Sequence, residues 1–172
     1  MRTSNPESLV SEPTTPEGLH PAYFETRFRV WDGSGWPGSF GIVSAWTTTG
    51  ESWPAAEARA ADEALTREVL AHYPFARRLI GYSPTTGHAE PSWAIGTDLR
   101  RTKELGRRYR QDAVYWVENG RLSVTRVARE ARLVVVGGFH DRLDDPIAGD
   151  EVWRVDERGR DDGRTQGDGG EE

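Results

Sequence analysis

The 172-residue chain is predicted to fold as an α+β domain, a mainly antiparallel sheet with two helices on one face, resembling a ferredoxin-like core with extra strands. Three observations predict it. Short apolar runs recur along the chain, two amphipathic stretches interrupt them, and an Asn-Gly pair joins two of the runs at hairpin spacing. The implied order is strand, strand, helix, strand, strand, helix, strand, strand, strand, which contains two strand-helix-strand units.

Tyr23 to Trp31 alternates apolar and charged residues, and Phe40 to Trp46 is a denser apolar run; both predict strands. Between them Gly33-x-Gly35-x-x-Gly38 with Pro37 predicts a turn and therefore a hairpin. Pro54 suits a first helical residue, with Ser52 placed to cap just ahead of it. The Ala/Glu/Arg-rich stretch that follows predicts a helix to Tyr73, with Ala58, Ala61, Leu65, Val69 and His72 as its inward stripe and Pro74 as its stop.

Arg77 to Ser83 and Glu90 to Thr97 predict two strands joined by Pro84-Thr85-Thr86-Gly87. Asp98 is placed to cap a second helix reaching about Gln111, with Leu99, Leu105 or Gly106, and Tyr109 inward and Arg100, Arg101, Lys103, Arg107, Arg108 and Arg110 outward. Ala113 to Val117 and Leu122 to Val127 form a hairpin across Asn119-Gly120. Leu133 to Val136 predicts a further strand, and a short one is expected near Val152 to Val155.

Composition divides the chain. Residues 1–19 carry Pro6, Pro13 and Pro16 without apolar periodicity, and residues 156–172 hold no aliphatic side chain, so both are expected to be disordered tails around one domain spanning 20–155. The whole net charge of -6 lies in those tails, which leaves the central domain neutral and without a global field to draw nucleic acid or an anionic membrane. The chain has no cysteine, which excludes disulfides, thiolate metal sites and cysteine nucleophiles. A long apolar span and a secretory leader are absent from the sequence, so a cytoplasmic location is expected.

Ser44-Ala45-Trp46 closing a strand, Glu90-Pro91-Ser92 opening another, and Gln111-x-Ala113-Val114-x-Trp116 after the second helix carry a resemblance. From Phe40 to Val127 the chain resembles a bacterial family known as domain of unknown function 3293. It departs from that family where Asn-Pro is usual after the first motif, having Thr47-Thr48-Thr49-Gly50, and where the first helix carries asparagine, having Ala58. The resemblance implies fold boundaries and no particular reaction.

The chemical motifs are few. The glycine triplet spells a dinucleotide fingerprint, but a strand follows it where that fingerprint needs a helix N-terminus for the pyrophosphate. His88, Glu90 and Ser92 alternate, which puts them on one strand face opposite Trp93 and Ile95 and within reach of a proton relay. No nucleophile elbow accompanies Ser92. The four histidines are scattered, and His140-Asp141 with Asp144 and Asp145 reads as a solvated acidic loop, so no metal and no cofactor are expected. Residues 98–132 hold ten basic against five acidic side chains, which offers Arg100, Lys103, Arg107 and Arg110 as anion contacts, although a solvated helix face accounts for them more simply. Trp36 and Trp53 fall in loops, where exposure would suit a protein partner.

In the implied topology the loop after Trp46, the start of the first helix, the turn before Glu90 and Gln111 all reach one edge of the sheet. The expected ligand-binding residues are therefore Thr47, Thr48, Ser52, His88, Glu90, Ser92 and Gln111, suited to a small polar or anionic ligand. The leading functional reading is a non-catalytic module binding a small polar ligand or a protein partner. A small-substrate enzyme using Glu90 and His88 as acid and base is the first alternative; nucleic-acid binding through the arginine-rich helix ranks below both.

Overall fold

A computed structural model describes residues 15–47 and 51–146. Its helices are α1 (Ala22–Glu25), α2 (Ala55–His72) and α3 (Leu99–Arg108), and its strands are β1 (Arg27–Val30), β2 (Ser39–Ser44), β3 (Ala76–Tyr82), β4 (Ala89–Ile95), β5 (Ala113–Glu118), β6 (Arg121–Arg126) and β7 (Val134–Gly138). All seven strands form one antiparallel sheet in the order β1-β3-β4-β2-β5-β6-β7.

The local signals that set these elements are visible in the chain. Asp98 accepts from the Arg101 amide at 2.7 Å and so caps α3. Asn119 and Gly120 both adopt positive φ, 49° and 77°, as the two-residue β5–β6 turn requires. At the other end of α3, Arg110 takes a left-handed φ of 59°, while the amides of Arg110 and Gln111 close back onto the Arg107 and Gly106 carbonyls at 3.1 and 2.8 Å. That left-handed cap turns the chain sharply into β5 and fixes where Gln111 stands.

Several expectations need correction. Residues 23–31 are not one strand, because Ala22–Glu25 is a helical turn and only Arg27–Val30 pairs. β1 and β2 do not form a hairpin: β1 pairs with β3 at the sheet edge while β2 lies between β4 and β5. The glycine-rich segment between them is a connection across the end of the sheet, and no helix follows it. Ser52 does not cap α2, whose N-cap is Pro54 without a side-chain hydrogen bond. His72 is exposed; Asp62 takes a buried place on that helix and receives Arg78 at 2.9 and 2.5 Å. Leu19, assigned to the N-terminal tail, is 1% exposed within the core. The strand expected near Val152 to Val155 lies outside the described residues.

Strand alternation splits the apolar side chains into two clusters. Leu65 and Val69 of α2 and Leu105 of α3 pack with Val43, Trp93, Ile95 and Val114. Phe40 and Ile42 of β2 and Tyr115 of β5 join Phe28 of β1, Leu122 of β6 and Phe139 in a second cluster. Trp36, read as an exposed loop residue, plugs this cluster: its ring stacks on Phe40 at 5.2 Å and meets Phe139 edge-on at 4.9 Å.

The sheet curls around that second cluster. After β7 the chain makes a tight turn (His140–Arg142) and bridges to the far edge strand, pairing Leu143 with Phe28. The Asp144 amide donates to the Phe28 carbonyl at 2.9 Å, and the Asp144 carboxylate pairs with Arg27 at 2.8 Å and accepts from the Tyr82 hydroxyl. The segment read as a solvated acidic loop is thus a strap between the two edges. Among the described residues no cluster of His, Asp and Glu is arranged to hold a metal ion, and no helix is long and apolar enough to cross a membrane.

Candidate functional site

The registers place Ser44 opposite Ser92, Gly81 opposite Glu90 and Phe28 opposite Gly81. The end of β2, the start of β4, the end of β3 and the start of β5 therefore lie at one end of the curled sheet, and side chains two apart share its inner face. There a cleft of about 350 Å³ opens, with Phe28, Ile42 and Tyr115 from the inner core as its floor. That volume is in the range of small-molecule sites.

Of the residues singled out from the sequence, Thr47, His88, Glu90, Ser92 and Gln111 line this cleft. Ser52 is exposed and lies outside the lining, and Thr48 lies outside the described residues. The alternation within β4 holds: Glu90 and Ser92 face the cleft, while Trp93 and Ile95 join the cluster with Leu65, Val69 and Leu105. Sequence reasoning missed Ser44, Glu51, Tyr82 and Tyr115. Ser44 and Tyr115 were legible as inward positions once β2 and β5 were known to be neighbours; Glu51 and Tyr82 carried no signal.

Each polar group is held differently. The Ser44 hydroxyl donates to the Pro91 carbonyl and accepts from the Trp46 amide, both at 3.1 Å, so it is committed to the strand ends. Gln111, 9% exposed, donates from Nε2 to the carbonyls of Trp46 and Tyr109 at 3.0 and 2.9 Å. Its Oε1 takes part in none of the hydrogen bonds among the described residues. Tyr115, 8% exposed, donates to the Tyr23 carbonyl at 3.0 Å. Burial pushes its phenol far above the ordinary range and the Glu90 charge adds to the effect, so Tyr115 is a neutral hydroxyl at the cleft floor.

Glu90 is the acidic group on the inner wall. Its Oε2 lies 3.5 Å from Nε2 of His88, an imidazole about half exposed on the rim. On the same side of the cleft the Glu25 carboxylate accepts from the Ser83 and Thr85 hydroxyls, which hold its pKa below the ordinary value. Among the described lining residues there are two carboxylates and two imidazoles, and neither lysine nor arginine.

The arginine-rich helix is engaged mostly away from the cleft, with Arg110 3.9 Å from the lining Glu51. Arg100 pairs with Glu104 at 2.5 Å, Arg107 donates to the Val127 carbonyl, and Arg110 reaches Glu57 at 2.6 Å and lies 4.3 Å over the Trp53 ring. Lys103, expected to face outward, is buried, 5% exposed, with Nζ donating to the carbonyls of Ala128, Arg129 and Ala131 at 3.1, 3.4 and 2.7 Å. Its aliphatic stem satisfies the apolar face of the helix while the ammonium caps a loop; burial lowers its pKa.

Comparison with family models turns on the segment that builds this cleft. Residues 43–114 match the family described as Protein of unknown function (DUF3293). The matched stretch runs from the end of β2 through β3, β4 and α3 into β5, and contains Ser44, Thr47, His88, Glu90, Ser92 and Gln111. No curated protein and no solved structure matches the chain.

Proposed function

We propose that this DUF3293-like domain is a non-catalytic module that binds a small polar ligand in the cleft at the open end of its sheet. The observation that carries the reading is the convergence of Ser44, Glu90, Ser92 and Gln111, from separate segments of the family-matched stretch, on one concave site with an apolar floor. An apolar floor with a few fixed polar groups supplies burial for affinity and hydrogen bonds for orientation. The strand order β3-β4-β2-β5 and the shared cluster of α2 and α3 support a ferredoxin-like core with both helices on one face, extended by β1, β6 and β7.

A thermal-shift screen of small amines, polyols and carboxylates against the full chain tests this. A ligand that raises Tm for the wild type should lose its effect in Glu90→Gln and Ser92→Ala. A ligand whose stabilisation survives both substitutions binds elsewhere and contradicts the reading.

A second reading rests on the 3.5 Å approach of His88 to Glu90 inside the cleft, a carboxylate-imidazole pair suited to proton transfer. Nothing among the described residues supplies a nucleophile with an oriented base, so general acid-base chemistry on a small substrate is the form an activity would take. Turnover abolished by both His88→Ala and Glu90→Gln would establish it; binding without turnover favours the module.

A further inference from the structure

We infer that the cleft selects a small organic cation, an ammonium head on an apolar stem. This rests on the small-ligand reading and sharpens it. Glu90 stands on the inner wall, its side chain 27% exposed, and Glu51 stands at the opposite loop. None of the described lining residues is a lysine or arginine; Glu51 is paired from outside the lining by Arg110 at 3.9 Å and accepts from the Trp53 indole at 2.6 Å, which leaves Glu90 as the lining carboxylate with no lysine or arginine partner among the described residues. Arg142 donates to the carbonyls of Phe24, Thr26 and Val136 at 2.9, 3.2 and 2.7 Å.

The uncharged groups point the same way. Gln111 uses its amide nitrogen on two backbone carbonyls, which leaves Oε1 as the atom of that side chain able to face a ligand, and it accepts only. Tyr115 gives its proton to the Tyr23 carbonyl, so it offers a ligand no donor. A head group that donates several hydrogen bonds and carries positive charge matches the Gln111 oxygen beside the Glu90 carboxylate. The aromatic rings of Phe28 and Tyr115 at the floor accept an apolar or aromatic stem, and an anion would meet like charge.

Three probes of nearly one shape separate the possibilities: benzylamine, benzyl alcohol and benzoate, titrated into the full chain at low salt while backbone amide shifts are followed. The inference expects saturable shifts at cleft residues with benzylamine, affinity about tenfold above benzyl alcohol, and no saturation with benzoate. Glu90→Gln should bring benzylamine down to the level of benzyl alcohol, and the control Glu63→Gln, on the exposed face of α2, should leave it unchanged. Equal binding of amine and alcohol in the cleft overturns the cation inference and leaves the small-ligand reading standing. Preferential binding of benzoate there does the same. Shifts from none of the three at any cleft residue overturn both.

Discussion

Gln111 donates its side-chain amide to the carbonyl of Trp46 at 3.0 Å. One buried side chain thereby ties the chain leaving β2 to the turn entering β5. Because the same nitrogen also holds the Tyr109 carbonyl, Gln111→Ala removes the donor from two backbone acceptors at once. The expected cost is about 1 to 2 kcal/mol, near the price of leaving buried carbonyls without their partner. A urea titration of the variant against the wild type reads it as a lowered midpoint at unchanged slope.

A similar argument applies where α2 meets β3. Asp62 is 7% exposed and receives both guanidinium nitrogens of Arg78, whose charge lies 5.2 Å from the Trp93 ring. Asp62→Ala strands the guanidinium and should cost about 3 kcal/mol. Replacing both partners, Asp62→Leu with Arg78→Met, should recover most of that loss. A double replacement no better than the single one would show that the pair itself, and not the stranded charge, supports the fold.

The contact between α3 and β2 is set by a missing side chain. A Cβ on Gly41 would meet the side chain of Thr102, with the Thr102 Cβ only 2.8 Å away. Gly41→Ala is therefore expected to push α3 off the sheet and destabilise the protein by about 1 to 3 kcal/mol. Adding Thr102→Ala should relieve part of it, and denaturation midpoints of the single and double variants measure how much.

Alkaline stability should depend on Tyr109. Burial first, then its 2.7 Å hydrogen bond to Glu68, raises its pKa from 10.0 to about 12. The folded state holds this proton more tightly than the unfolded chain, so the stabilisation is complete below pH 10.0 and is lost as pH rises toward about 12. Tyr73, Tyr82 and Tyr115 are raised too, so Tyr109→Phe should make the fall shallower without abolishing it. Urea midpoints between pH 9 and 12 decide; an unchanged slope in the variant would contradict the assignment.

Elements governed by local rules were legible in the sequence. The Asn119-Gly120 turn, the Asp98 cap and the alternation that sends Glu90 and Ser92 one way and Trp93 the other all depend on neighbouring residues, and all appear in the structure. Features set by distant partners were not. The Asp32 to Ser39 connection has hairpin composition, yet β1 finds its partner in β3, some fifty residues on. Lys103 carries the charge of an outward residue but finds three carbonyls from the loop after β6. Trp36 looks like an exposed loop aromatic until Phe139 returns from beyond β7 to meet it. The site was legible to the extent that its residues sit at strand ends, and the strap through Asp144, which closes the curl around its floor, was not.

The central claim is that sequence-distant motif residues form one ligand-binding mouth. Its most direct test is to map where small polar molecules land on the full chain, by following backbone amide shifts across a fragment library. Saturable shifts gathered at Ser44, Thr47, Glu90, Ser92 and Gln111 are the predicted result. Saturable shifts confined to the outer face of α3 or to the surroundings of Trp53, with those five residues unmoved, would contradict it.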